Sequence, residues 1–379
     1  MAVASRPPLR VWVWTAATLA LAVVAALLWR GSDAAATDST TAPPPTGVPT
    51  GTPAGTVSAA WSAPGDPVPG DVVAASRVLV GSANGVRALD PLTGEEAWHY
   101  TRANARLCGL TVSDGVAVAV FRTEDRCDEA IGLDAGTGVR SWTRNVNFRP
   151  DATLSSTGGT VLAHSPTGLV ALDPVGNNTR WRHAPPSGCE LLASAPGDTG
   201  VALLQQCAGS PDPQLRLLDS PDGGELWTRE LPVPDGAEVR LLDADLLVGV
   251  QAGDEVQLVT AADGTLLTTL PADAGRPAQQ TAVGGTVLVT ADGTLTALDP
   301  ATGQRRWTAP ATGLPGEPVD GNGPPALTVP TDAGFVQRDA GSGDELATWS
   351  VPGLPEGGTA TALGPAVVLR LADRVTGYR

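Results

Sequence analysis

The side chains that could do chemistry are few and scattered. The chain of 379 residues holds four Cys, three His, two Tyr and one Met, and all 24 of its basic residues are Arg. A zinc site needs Cys and His at close spacing, but no Cys-x-x-Cys occurs, and His99, His164 and His183 share no spacing with one another. No nucleophile elbow and no His-Glu-x-x-His motif is present, and the acidic loops lack the alternating oxygen ligands and closing Glu of a calcium loop. No catalytic, cofactor-binding or metal-ligating residue is therefore assigned. The 40 acidic residues give a net charge of −16, which argues against nucleic acid as a partner, because polyanions reward basic patches.

Cysteine is the one reactive type with a legible pattern. Cys108 and Cys127 precede one Asp-centred motif, and Cys189 and Cys207 precede another. Four Cys allow three connectivities. An even count in a chain bound for an oxidising compartment favours disulfides, and we expect them within each pair.

The elements that would position such residues come from a repeat. VRALDPLTGEEAW ends at Trp98 and LTALDPATGQRRW at Trp307, with IGLDAGTGVRSW ending at Trp142, VALDPVGNNTRW at Trp181 and LRLLDSPDGGELW at Trp227. Two copies are degenerate: QLVTAADGTLLT has Thr260 for the Asp and Thr268 for the Trp, and VQRDAGSGDELATW shifts its aromatic to Trp349. The landmarks Asp90, Asp134, Asp173, Asp219, Thr260, Asp299 and Asp339 are 39 to 46 residues apart. That period, with short β-rich runs broken by Gly, predicts four-stranded propeller blades and disfavours helical solenoids.

Each landmark has a structural role in this reading. The Asp carboxylate accepts main-chain N–H groups across a turn, and a Gly four residues on (Gly94, Gly138, Gly223, Gly303, Gly343) supplies positive φ. In the third copy Asn177 stands in for the Gly. The Trp then lies on the next strand and fills the gap between blades. The last copy, VLRLADRVTGYR, has three strands and lacks the fourth, while Trp61 sits one period before Trp98 with no Asp motif of its own. The N-terminal strand bearing Trp61 is expected to complete the last blade. The fold class is thus all-β, an eight-bladed propeller over residues 57–379 whose ring is closed by an N-terminal strand and leaves no open edge at the junction.

This pattern resembles the PQQ-like, or quinoprotein-type, β-propeller repeat family, whose mark is a strand ending Ala-Leu-Asp, a turn with Thr-Gly, and a Trp four residues later. The resemblance is closest to the membrane-tethered members in high-GC bacteria. It implies a fold, and for a true quinoprotein it would also imply adjacent Cys, a metal-binding carboxylate and a ring to stack the quinone. No adjacent Cys pair occurs, and the recurring Asp and Trp residues already have structural roles.

Ahead of the repeats, residues 1–10 carry Arg6 and Arg10 and are read as cytoplasmic. Residues 11–29 form an apolar run flanked by Trp12, Trp14 and Trp29, long enough for a single transmembrane helix acting as a signal anchor. A cleavable signal peptide, with Ala34 to Ala36 as its cleavage site, is the competing reading. Residues 31–56, rich in Ala, Thr and Pro, read as a disordered linker. The propeller then lies on the extracytoplasmic side of the cell membrane.

Function is expected to be binding. A monomeric, non-catalytic scaffold for a protein or peptide is the first reading, with a quinone-dependent oxidoreductase or a ligand-sensing subunit as alternatives. Polar residues at the start of each copy, Arg106, Glu190, Glu238, Arg240, Gln279 and Gln280, are the candidates for the channel face.

Overall fold

The computed structural model describes residues 9–68, 73–234, 236–318 and 326–379. Helix Leu9–Arg30 comes first, and its span Arg10–Arg30 is long and apolar enough to cross a membrane. Most of the expected cytoplasmic segment, residues 1–8, lies outside the described residues.

Eight sheets follow. Blade 2 shows the plan: Arg106–Ser113 is innermost, then Val116–Arg122, Cys127–Asp134 and Arg140–Phe148 at the rim, all antiparallel. Blades 3 to 6 repeat it over residues 153–183, 189–230, 239–271 and 279–310. Middle strands such as Val116–Arg122 (VAVAVFR) are buried almost throughout because a neighbouring blade covers each face. Rim strands such as Glu225–Glu230 are mostly exposed, so they carry polar residues around one aromatic.

Blades 1, 7 and 8 depart from the plan. Blade 1 (residues 66–102) has an innermost strand of two residues, Asp66–Pro67. In blade 7 the described residues form a three-stranded sheet of Ala326–Thr331, Gly334–Asp339 and Glu345–Ser350, and Leu314–Pro315 runs parallel to the inner strand of blade 8. Blade 8 takes Thr359–Leu363, Ala366–Arg370 and Arg374–Tyr378 from the end of the chain, and its rim strand is Ala59–Pro64. The ring therefore closes as expected, with Trp61 opposite Gly377.

The turn chemistry repeats with small variations. Asp90 Oδ1 accepts the N–H groups of Leu92 (2.9 Å) and Thr93 (3.0 Å), and Gly94 follows at φ +71°. Asn177 adopts φ +51° in the Gly position of blade 3. The indole N–H of each well-placed Trp donates to the carbonyl of the residue after the Asp landmark in the next blade. Trp61 reaches Pro91 (3.1 Å), Trp98 Ala135 (3.1 Å), Trp142 Pro174 (2.8 Å), Trp181 Ser220 (2.7 Å), Trp227 Ala261 (2.9 Å) and Trp307 Ala340 (3.1 Å). Gly138 must be Gly for a second reason, since a Cβ there would fall 2.6 Å from the Trp98 ring. In blade 7 Ala347 occupies the register of the other Trp residues, and Trp349, opposite Phe335, packs with Val57 and Tyr378.

Both disulfides form as expected. Cys108 joins Cys127 in blade 2, and Cys189 joins Cys207 directly across one strand pair of blade 4.

Residues 31–56 differ from the expected disordered linker. Thr37–Ser39 pairs antiparallel with the rim strand of blade 1, Glu96–Arg102. The chain then crosses the face that carries the Asp turns. Ala42 N–H donates to Thr137 O (2.9 Å), Pro45 lies beside Gly136, Pro49 beside Gly364, and Gly55 O accepts from Ser350 N (3.0 Å). Low apolar content hid this placement, because pairing onto an edge strand uses main-chain groups and requires no apolar side chain.

Candidate binding site

Each described inner strand leads through a hairpin into the middle strands of its blade, so it begins at the face bearing the connections between blades and ends at the face bearing the Asp turns. A cavity of about 490 Å³ lies in the central channel. Its wall is built from inner-strand ends and the hairpins after them: Ser113 and Asp114 of blade 2, Ser156 and Thr157 of blade 3, Ser194 of blade 4, and Asp243 and Asp245 of blade 5. Gln280 of blade 6, Glu317 beside the short Leu314–Pro315 strand, and Thr359 and Arg370 of blade 8 complete it.

Hydrogen bonds within and between blades hold this wall. The hydroxyls of Thr111 and Ser156 are 2.6 Å apart, Ser156 Oγ donates to Val112 O (2.7 Å), and Gly159 N–H donates to Ser113 Oγ (3.1 Å). Arg370 Nη2 donates to Thr359 Oγ1 (3.0 Å). Gln280 donates to Leu247 O (2.8 Å), and its side chain lies so close to Gly249 that any Cβ there would collide with it.

Charge in the cavity is predominantly negative, with Asp114, Asp243, Asp245 and Glu317 set against Arg370. Burial pushes the Asp243 carboxyl up to about 7, and the neighbouring charges of Asp245 and Asp198 push in the same direction. A carboxyl in that range changes charge near neutral pH and gains from an arriving cation. Among the described residues no group of three or more His, Cys, Asp or Glu could hold a metal ion.

The six candidates read from the sequence are not brought together. Arg106, opposite Arg122, and Glu190, opposite Gln206, are exposed at inner-strand starts on the connection face. Glu238 and Arg240 form an ion pair with each other (2.7 Å). Gln279 lines a separate groove of about 720 Å³ between Arg276, Asp292, Asp332 and Glu356. Gln280 alone reaches the central cavity. The cavity takes inner-strand ends from blades 2 to 5 but inner-strand starts from blades 6 and 8, so a place at the start of a copy does not by itself reach it. The missed residues carried a weak signal. Asp243-Ala244-Asp245 places two acids around a hairpin where blade 6 has Gly284-Gly285. Burial lowers the pKa of His164, and burial together with Arg216 lowers that of His183, and neither residue lines the cavity.

Comparison with known proteins agrees with this architecture. The family model described as outer membrane protein assembly factor BamB matches residues 27–195 and 211–374. Among solved structures, the computationally designed Ika8 protein is 16% identical, with a TM-score of 0.57 over 86% of this chain and 99% of that one. The quinohemoprotein alcohol dehydrogenase ADHIIG from Pseudomonas putida HK5 is 13% identical, with a TM-score of 0.51 over 86% of this chain and 76% of that one. BamB from Moraxella catarrhalis is 16% identical, with a TM-score of 0.48 over 86% and 98%. At these identities the likeness is one of fold. No curated protein sequence matches the chain.

Proposed function

The chain belongs to the outer membrane protein assembly factor BamB family, and on that premise we propose that it is a membrane-anchored extracytoplasmic scaffold whose central cavity receives a cationic segment of a protein or peptide partner. The observation that carries this reading is the cavity itself, whose described lining holds four carboxyl groups and one guanidinium. Opposite charge across an interface speeds encounter and selects partners. The apolar helix ahead of two disulfide-bonded blades supports an anchor and an oxidising compartment.

Quinone-dependent oxidation is favoured only by likeness of fold to ADHIIG. The residues present do not fit that cofactor: among the described residues no aromatic side chain lines the cavity to stack a quinone ring, and its acids would repel the quinone's own carboxylates. We derive no redox step for this chain.

Crosslinking in intact membranes, followed by purification and mass spectrometry, tests the scaffold. Wild-type protein should capture a recurrent basic partner, and an Asp243→Asn, Asp245→Asn variant should capture several-fold less, more so at low salt. Equal recovery by both proteins would remove the cavity from the reading. Recovery of no partner by either would remove the scaffold.

A further inference from the structure

We propose that Asp33–Ser39 is a latch. It occupies in cis a strand-docking edge on blade 1, where Arg102 and His99 hold the Asp33 and Asp38 carboxylates, so that the N-terminal helix is joined to the propeller with almost no slack. The latch goes beyond the scaffold reading but rests on its retained helix.

Main-chain pairing sets the register. Thr37, Asp38 and Ser39 face Arg102, Thr101 and Tyr100. The pairing is extended at both ends, by Ala103 N–H donating to Ala36 O (2.8 Å) and by Thr40 N–H donating to His99 O (2.9 Å). Among the described residues, blade 1 is the only blade with a strand added outside its rim strand.

The side chains make the edge selective for two acids. Arg102 is only 1% exposed, and its guanidinium is divided between three partners. Nε donates to Asn104 Oδ1 (3.0 Å), Nη1 to Glu129 Oε2 of blade 2 (2.9 Å) and Nη2 to Asp33 Oδ1 of the latch (2.7 Å). Asn104 Nδ2 donates to the same Asp33 oxygen (2.8 Å). Loss of Asp33 leaves part of a buried cation without its acceptor, which is a costly arrangement. His99 lies between Glu96 (2.6 Å) and Asp38 (3.5 Å), and the Thr40 hydroxyl accepts its main-chain N–H (3.0 Å).

The connection to the helix is short and ordered. Gly31 and Ser32 return their N–H groups to Leu27 O and Trp29 O, and Ser32 then caps the single turn Asp33–Ala36. Two residues separate the helix from that turn, three Cα–Cα steps with a reach of at most about 11 Å. The rim of blade 1 is thereby held close to the end of the helix.

Half of the latch responds to pH. Burial acts to lower the His99 pKa, but the hydrogen bond and charge of Glu96, and then those of Asp38, raise it above its ordinary value. Arg87, opposite His99 on the adjoining strand, is the like charge facing it. A raised folded pKa means that this contribution is complete below the unfolded value of about 6.5 and is lost as pH rises through the folded value. Arg102, held up against its burial by Glu129 and Asp33, keeps its charge through that range.

Hydrogen exchange on the full chain in detergent micelles, after its intact mass is measured, is the test. Peptides covering 33–42 and 96–104 should be protected in the wild type, and more strongly at pH 6 than at pH 9 after correction for intrinsic exchange. Asp33→Asn with Asp38→Asn should speed their exchange about tenfold, and His99→Gln should abolish the pH dependence. Peptides covering the blade 8 closure, 59–64, serve as the folding control and should not change. Exchange of 33–42 at the rate of an unstructured peptide in the wild type, or no response to the double substitution, overturns the latch. A mature chain beginning at Thr37 overturns the retained anchor instead, and Asp38→Asn then tests the remaining half of the latch separately.

Discussion

The junction between blades 1 and 2 and the junction between blades 5 and 6 solve one packing problem with different residues. At the first, Trp98 is fully buried, donates to Ala135 O and lies on Gly138. At the second, Thr268 stands in the Trp register, opposite Leu258, and Gly303 is approached by Leu267 Cβ and Thr268 Cγ2. The turns differ as well. Asp134 Oδ1 accepts from the Thr137 hydroxyl three residues on (2.7 Å), whereas in blade 5 the Thr260 hydroxyl donates forward to Asp263 Oδ1 (2.5 Å). The same bond is made with donor and acceptor exchanged. The ring therefore constrains the geometry of each junction more tightly than the identity of its residues.

The largest expected effect breaks the stronger junction. Trp98→Ala removes a fully buried ring and its indole hydrogen bond and should destabilise the propeller by about 3–5 kcal/mol, measured by denaturant unfolding. Thr268→Ala should cost less than about 1 kcal/mol, and equal losses at the two sites would show that the Trp is incidental to the junction. The converse substitution sharpens the comparison. Thr268→Trp should destabilise by about 1–3 kcal/mol, because Leu267 already fills the space over Gly303. Adding Leu267→Ala should recover most of that loss, since Ala97 precedes Trp98 in the intact junction. If the pair is no better than the single substitution, Leu267 is not what excludes the ring.

These junctions also show why part of the molecule was legible in the sequence. Asp134, Gly138 and Trp142 lie within nine residues, and their bonds are local or repeat at one period, so the blades, the closing strand and both disulfides could be read from spacing. The latch could not. Asp33 meets Arg102, and Asp38 meets His99, more than sixty residues away and only once in the chain. The cavity was not legible either, because it takes inner-strand ends from blades 2 to 5 and inner-strand starts from blades 6 and 8, a mixture that repeat landmarks far from the channel do not show.

The smallest effect isolates the exchanged turn. Thr260→Asp with Asp263→Thr rewrites blade 5 as Asp-Ala-Ala-Thr-Gly, close to the Asp-Pro-Ala-Thr-Gly of blade 6, and should leave the unfolding midpoint unchanged. Asp263→Thr alone should lower the unfolding midpoint slightly, because the Thr260 hydroxyl and the Thr265 N–H both lose their carboxylate acceptor. Titration gives the same comparison without relying on unfolding. The Thr260 hydroxyl, then Thr265, holds the Asp263 carboxyl down at about 2, and Arg306, then Thr302, holds Asp299 of blade 6 at about 2. Both pKa values are depressed, so each contribution to stability is present above the unfolded value near 3.9 and disappears as pH falls through about 2. Carboxyl carbon shifts followed by NMR should give the two residues similar midpoints, and Thr260→Ala should raise that of Asp263 alone. If the Asp263 midpoint stays in place, the Thr260 hydroxyl does not hold the carboxylate, and the two turns are not the same bond written in opposite directions.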